Sequence, residues 1–114
     1  MRRLTTKRAQ HEYDPQQVLY LIGNINYCYL YMANNEVILS CRTLKWFSQR
    51  WPHFLRVHKK ALVNLDYLMA FQPGGKSTAT NYITMADETQ LEIARRRVPD
   101  VRQALESVQI GLLS

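Results

Sequence analysis

Short apolar runs with a period of two, broken by polar turns, dominate the chain. VLYLI at 18–22 and the aromatic-rich YCYLYM at 27–32 read as strands. Asn34-Asn35 is a turn dipeptide, because Asn tolerates left-handed backbone, and residues 37–40 pair back as a hairpin. The alternation breaks at 43–51. There Thr43 is a cap, and Leu44, Phe47 and Trp51 at i, i+3 and i+7 predict one face of a short helix that Pro52 ends. Strands resume at about Phe54 to His58 and, past the polar break at Asn64, at Leu65 to Gln72, with Pro73-Gly74-Gly75 a loop. Residues 82–85 and 90–93 flank Asp87-Glu88 as a further hairpin. Val98, Val101, Leu105 and Val108 predict a C-terminal helix with Pro99 in its first turn. The fold class is therefore mostly β (α+β): antiparallel strands in small sheets, one short internal helix and a C-terminal helix.

At 114 residues, with 46% hydrophobic and 11% aromatic side chains, this is the composition of one globular domain. Residues 1–11 are expected to form a flexible basic arm and 12–114 the folded domain. No apolar run reaches the roughly 20 residues of a membrane helix, and MRRLTTKRAQ lacks the apolar core of a secretory signal. Cys28 and Cys41 form no CxxC pair and suggest no disulfide framework, so a reduced, cytoplasmic location is the expectation.

The net charge of +6 matters mainly through its placement. Between Glu36 and Asp66 there is no acidic residue, while that interval holds Arg42, Lys45, Arg50, Arg56, Lys59 and Lys60 with His53 and His58. Arg95-Arg96-Arg97 form a second cluster, and Arg2, Arg3, Lys7 and Arg8 a third. Segregation of this kind builds a local positive field suited to a polyanion; the plainer reading is a solvated basic surface. In FLRVHKKALVN at 54–64, alternation puts Phe54, Arg56 and His58 on one face and Leu55 and Val57 on the other. Lys59-Lys60 is then either an edge-strand guard against aggregation or a turn aimed at phosphates. Arg95 to Arg97 precede a helix N-terminus, whose exposed amides disfavour cations, so an anionic partner is implied there.

Other chemistry is not supported. GKST at 75–78 matches the tail of a phosphate-binding loop, but the glycine required five positions earlier is Ala70 and the following residues read as strand. His11, His53, His58, Cys28 and Cys41 have no metal-ligand spacing, and no GxSxG or other nucleophile context is present, so neither metal, cofactor nor enzymatic activity is expected. Cys28 reads as core. Tyr27, Tyr29 and Tyr31 share one face, which could stack unpaired bases but in a β protein more often packs inward.

At these residues the chain resembles the LytTR family of DNA-binding domains. VLYLIGNINY at 18–27 is similar to the family's strand and Gly-Asn-Tyr-type turn, RTLKWF at 42–47 to its short TLK helix. FLRVHKKALVN is similar to the core F-x-R-x-H-[RK]-S-[YF]-[LIV]-V-N, and ITMADETQLEIARRRVPDVRQAL at 83–105 to the terminal hairpin, basic turn and helix. The matched pieces span about residues 12 to 107. The resemblance implies an elongated antiparallel β fold that binds duplex DNA through loops, with contacts from Asn26 or Tyr27, from Lys59, and from Arg96 with Arg95 and Arg97 adjacent. Two positions depart from the pattern: Lys60 stands where Ser is usual, and Ala94 where Ser often precedes the arginines. Family domains commonly follow a sensory domain; with about eleven residues before the match, the activating input is expected from elsewhere.

The expected function is sequence-specific binding of double-stranded DNA by a transcriptional regulator. Lys59, Lys60, Arg56 and Arg42 would meet phosphates and Arg96 a base edge, with His58 a structural residue beside the turn. A second copy on adjacent repeats and a separate sensor or regulator protein are further candidate partners. The alternatives are a protein-interaction module that modulates such a sensor or regulator, and a single-stranded nucleic-acid binder using the tyrosine face.

Overall fold

Strand pairing between distant segments builds the frame. The computed structural model describes the backbone of residues 3–6, 13–72, 74 and 80–113, and the side chains of 13–72, 74 and 80–106. Arg2, Lys7 and Arg8 of the basic arm, the GKST segment and the side chain of Val108 lie outside the described residues. Nine strands and two α-helices occur within them: β1 (Arg3–Thr6), β2 (Val18–Gly23), β3 (Cys28–Met32), β4 (Glu36–Ser40), α1 (Leu44–Arg50), β5 (Phe54–His58), β6 (Ala61–Asn64), β7 (Leu68–Gln72), β8 (Asn81–Met85), β9 (Gln90–Ile93) and α2 (Val98–Leu113). They form a six-stranded sheet in the order β1-β4-β3-β2-β6-β5 and a three-stranded sheet β7-β8-β9. All pairings are antiparallel except β1 on β4, in which Arg3 faces Glu36 and Thr6 faces Leu39. The arm expected over 1–11 thus contains a paired strand.

Both turn predictions hold: Asn35 and Glu88 take positive φ, 72° and 71°, which the short Asn35 side chain tolerates, while at Glu88 the turn is closed by its N–H donating to the Met85 carbonyl at 2.8 Å and by Asp87 Oδ1 accepting the Thr89 N–H at 3.1 Å. Thr43 caps α1, its Oγ1 accepting from Trp46 N–H at 3.2 Å. One boundary differs. Leu65–Tyr67, expected to open a strand, is a 3-10 turn capped by the Asn64 side chain, which accepts the Asp66 N–H at 2.9 Å.

Alternation along the central strands sends apolar side chains to both faces of the six-stranded sheet. On one face Val18, Leu21, Cys28, Leu30, Ile38, Phe54 and Leu62 pack with Leu44 and Phe47 of α1. On the other, Leu19, Tyr20, Val57, Ala61 and Val63 pack with Ile83, Met85 and Ile93 of the small sheet and Val101 of α2. A register shift between Val18 and Tyr20 lets Leu19 and Tyr20 enter the same cluster despite being adjacent. Buried Leu, Ile and Phe side chains contribute roughly 1.5–3 kcal/mol each, so the sheet is clamped from both sides. Asn64, 1% exposed, locks one end: its Nδ2 donates to the carbonyls of Val18 (2.9 Å) and Pro15 (3.2 Å).

Candidate nucleic-acid interface

Antiparallel neighbours alternate in direction, so β2, β4 and β5 end where β3 and β6 begin. Among the described residues, three connections leave the six-stranded sheet from that end: Asn24 to Tyr27, Cys41 to Thr43, and Lys59-Lys60. The Gly23 N–H donates to the Lys60 carbonyl at 2.8 Å, which carries the β2–β6 ladder out to both turns and holds them level. Together with the start of α1 they surround an open depression of about 590 Å³ lined by Gly23, Asn24, Ile25, Thr43, Leu44, Lys45, Arg56, Lys59 and Lys60.

Each turn is stiffened by its own backbone and side chains. Asn24 N–H donates to the Tyr27 carbonyl and Ile25 N–H to Asn24 Oδ1, both at 2.8 Å. In the lysine turn, Arg56 Nε donates to the His58 carbonyl at 3.0 Å and Arg56 Nη2 to the Lys59 carbonyl at 2.6 Å. His58 Nδ1 accepts the Lys60 N–H at 3.2 Å, which leaves Nε2 as the protonated nitrogen of the neutral ring, 3.6 Å from Glu92 Oε2. His58 is thus a structural residue beside the turn, and Lys59 and Lys60 are both exposed.

The arginine cluster arrives from the other sheet. Residues Arg95–Arg97 form a 3-10 turn just before α2, and the Ala94 N–H pins it to β5 by donating to the Val57 carbonyl at 2.8 Å. Arg96 is exposed and Arg97 half-buried. Partial burial and the nearby Arg97 charge lower the pKa of Arg56.

The sequence-predicted residues are thus brought together unevenly. Arg56, Lys59 and Lys60 share one depression, with Arg95 to Arg97 beside it along the β5 edge. Asn26 and Tyr27 lie on the neighbouring turn, exposed. Arg42 does not line the depression; its guanidinium stacks 4.7 Å over the Trp46 ring, whose ring also carries Arg50 at 4.5 Å. The tyrosines do not form one platform: Tyr31 stacks on Tyr20 at 4.6 Å and Tyr29 meets Tyr27 edge-on at 5.7 Å, which leaves Tyr27 the most accessible. Sequence reasoning counted Lys45 in the basic interval without giving it a contact, and gave none to Asn24 or Ile25. The signal for Lys45 was its place beside Leu44, since on α1 the residue next to a buried one points sideways, here into the depression. Among the described residues no group of three or more His, Cys, Asp or Glu is placed to hold a metal, and no helix is long and apolar enough to cross a membrane.

Comparison with curated proteins found no match. Among solved structures the chain is similar to one described as the LytTr DNA-binding domain of a methyl-accepting/DNA response regulator from Bacillus cereus. The identity is 18%, the TM-score 0.67, and the match covers 79% of this chain and 82% of that one. At that identity the likeness establishes the fold: strands in two sheets with two helices. The family model of the LytTr DNA-binding domain matches residues 8–106. That range takes in the three described connections at the basic end of the sheet, and the chain belongs to the LytTr family of DNA-binding domains.

Proposed function

We propose that this domain binds duplex DNA sequence-specifically with the basic end of its six-stranded sheet and regulates transcription from the bound site. The observation that carries the reading is the depression itself. Lys45 at the start of α1, Arg56 on β5, and Lys59 and Lys60 in the β5–β6 turn converge on it, and none of its described lining residues is acidic.

The dimensions suit a groove. The β2–β3 and β5–β6 turns straddle two strand spacings of the sheet order, about 10 Å centre to centre, against a major groove about 12 Å wide. In this arrangement Lys45, Lys59 and Lys60 meet phosphates, which set register and most of the affinity. Arg56 acts mainly through the turn it grips, because two of its donors are already held by carbonyls. Arg96, exposed on its short turn, presents a planar fork that can bond guanine O6 and N7 together, worth roughly 1–3 kcal/mol of discrimination. Asn26 is placed to add a second polar base contact from the neighbouring turn. Arg42, held against Trp46, supports the phosphate field from the flank.

The test is selection of binding sites from a random duplex pool, followed by titration of the enriched site. Three to four phosphate contacts predict a log–log salt slope of about −3 to −4, reduced by about 1 in Lys59→Ala. Arg96→Ala is expected to relax base preference more than Lys60→Ala does. Displacement from every enriched site by random-sequence duplex, as effectively as by the site itself, would overturn sequence-specific recognition.

A further inference from the structure

The most exposed large apolar side chain among the described residues stands inside the basic end of the sheet. Ile25 is 83% exposed at the tip of the β2–β3 turn. Its backbone is fixed on both sides, by Asn24 N–H to the Tyr27 carbonyl and by its own N–H to Asn24 Oδ1, each 2.8 Å. The turn geometry therefore holds the side chain away from both core clusters, neither of which includes it. A single exposed isoleucine on an arbitrary surface needs no explanation. This one lines the same depression as Lys45, Lys59 and Lys60, where the ligand that satisfies the cations is a polyanion. It also has a physical advantage there: a β-branched side chain is stiff at χ1, so docking it costs little rotamer entropy.

Resting on the duplex-DNA reading above, we infer that Ile25 is a specificity-determining residue that packs against a thymine 5-methyl group in the major groove. The flanking lysines fix the phosphates on either side. Between them, the apolar group that a major-groove base edge presents is the thymine methyl, since the other edges offer hydrogen-bonding atoms. Asn24 and Asn26 bracket Ile25 in the chain, which puts amide groups beside it for the adjacent base pairs. The methyl contact separates T from C by shape and desolvation in a way no lysine can.

The experiment is a cycle between protein and DNA. From the site enriched in a random duplex pool, duplexes are made in which each thymine in turn is replaced by deoxyuridine, which deletes the methyl and keeps every hydrogen-bonding atom. Wild type and Ile25→Ala are titrated against each. Burial of one methyl group corresponds to about a fourfold change in affinity. Deoxyuridine at one thymine is expected to weaken wild type by about that factor and to leave Ile25→Ala unaffected. Ile25→Ala is expected to unfold at the wild-type temperature, because the side chain packs on neither core cluster. If every thymine-to-deoxyuridine change costs both proteins equally, or if the enriched site holds no thymine, the inference is wrong while sequence-specific binding stands. If no site is enriched at all, the duplex reading falls and takes this inference with it.

Discussion

Gly23 offers a sharp test of how the recognition end is held together. It closes β2 and sits under Leu44, the first residue of α1. A Cβ built at position 23 falls on the Leu44 side chain, 2.8 Å from Cδ1, 3.1 Å from Cδ2 and nearer still to Cγ. No described glycine has positive φ, so the backbone at Gly23 is one that alanine adopts freely. In open space Gly23→Ala would stabilise by about 0.4–1 kcal/mol through the unfolded chain. Against Leu44, itself only 3% exposed, overpacking is expected to reverse the sign and cost about 1–3 kcal/mol. Leu44→Ala alone should cost about 2–5 kcal/mol for the cavity it leaves. In the double variant the new Cβ occupies part of that cavity, so the Gly23→Ala increment should vanish or turn favourable. The coupling between the two sites is then at least about 1 kcal/mol. Urea unfolding followed by far-UV circular dichroism measures all four corners, and the sign of the Gly23→Ala step decides the matter. A stabilised Gly23→Ala, or increments that simply add, would refute the close approach. Because Lys45 follows Leu44, the same single variant should also weaken DNA binding severalfold at an unchanged number of cations.

Asn64→Ala removes three hydrogen bonds, to the Val18 and Pro15 carbonyls and from the Asp66 N–H. At about 1 kcal/mol each, chemical denaturation should show a loss of about 3 kcal/mol; a loss below 1 kcal/mol would contradict the bonds. Arg56→Lys keeps the charge but replaces a fork that holds two carbonyls with a single point donor. Duplex affinity should fall severalfold with the salt slope unchanged, whereas a slope lowered by about 1 would make Arg56 a direct phosphate ligand. Burial pushes the Cys28 thiol from its ordinary 9.0 up to about 12, while Cys41 is exposed. A colorimetric thiol reagent at pH 8 should therefore find one reactive cysteine in the folded protein and two in denaturant. Since the folded thiol holds its proton more tightly than the unfolded one, the stability linked to Cys28 is complete below pH 9 and declines as pH rises from there through about 12.

Local signals were legible in the sequence where a residue's own chemistry decides the outcome. Thr43 caps, Asn35 and Glu88 turn, and Lys59-Lys60 interrupt a strand pair because each property is set within a few residues. The split of FLRV was legible too: Phe54 packs with α1 while Leu55 and Val57 join the opposite cluster; His58, expected on the face of Phe54 and Arg56, instead follows Val57, because a register shift after Arg56 pairs it with Ala61 of that cluster. What could not be read is what depends on distant partners. The β2–β6 pairing joins Tyr20 to Val63 across more than forty residues, and it alone brings the Asn24–Tyr27 turn beside the lysines. Leu65–Tyr67 looks like a strand by composition but yields to the Asn64 side chain that caps it as a 3-10 turn. Arg42 has the same charge as Lys45, and only the indole of Trp46 explains why one stacks on the flank and the other faces the depression.

How the cations are held bears on how the domain works. A cation restrained by a carboxylate gives up most of its field to that partner. Arg56 is restrained instead by backbone carbonyls, and Arg42 lies on an indole face. These neutral partners fix position while leaving the net positive charge in place. The cost falls on the Arg56 guanidinium, whose pKa is lowered first by its partial burial and then by the nearby Arg97 charge. Under the proposed duplex reading, a phosphate placed at the β5 edge offsets that cost, so bound duplex is expected to raise the unfolding temperature of the domain.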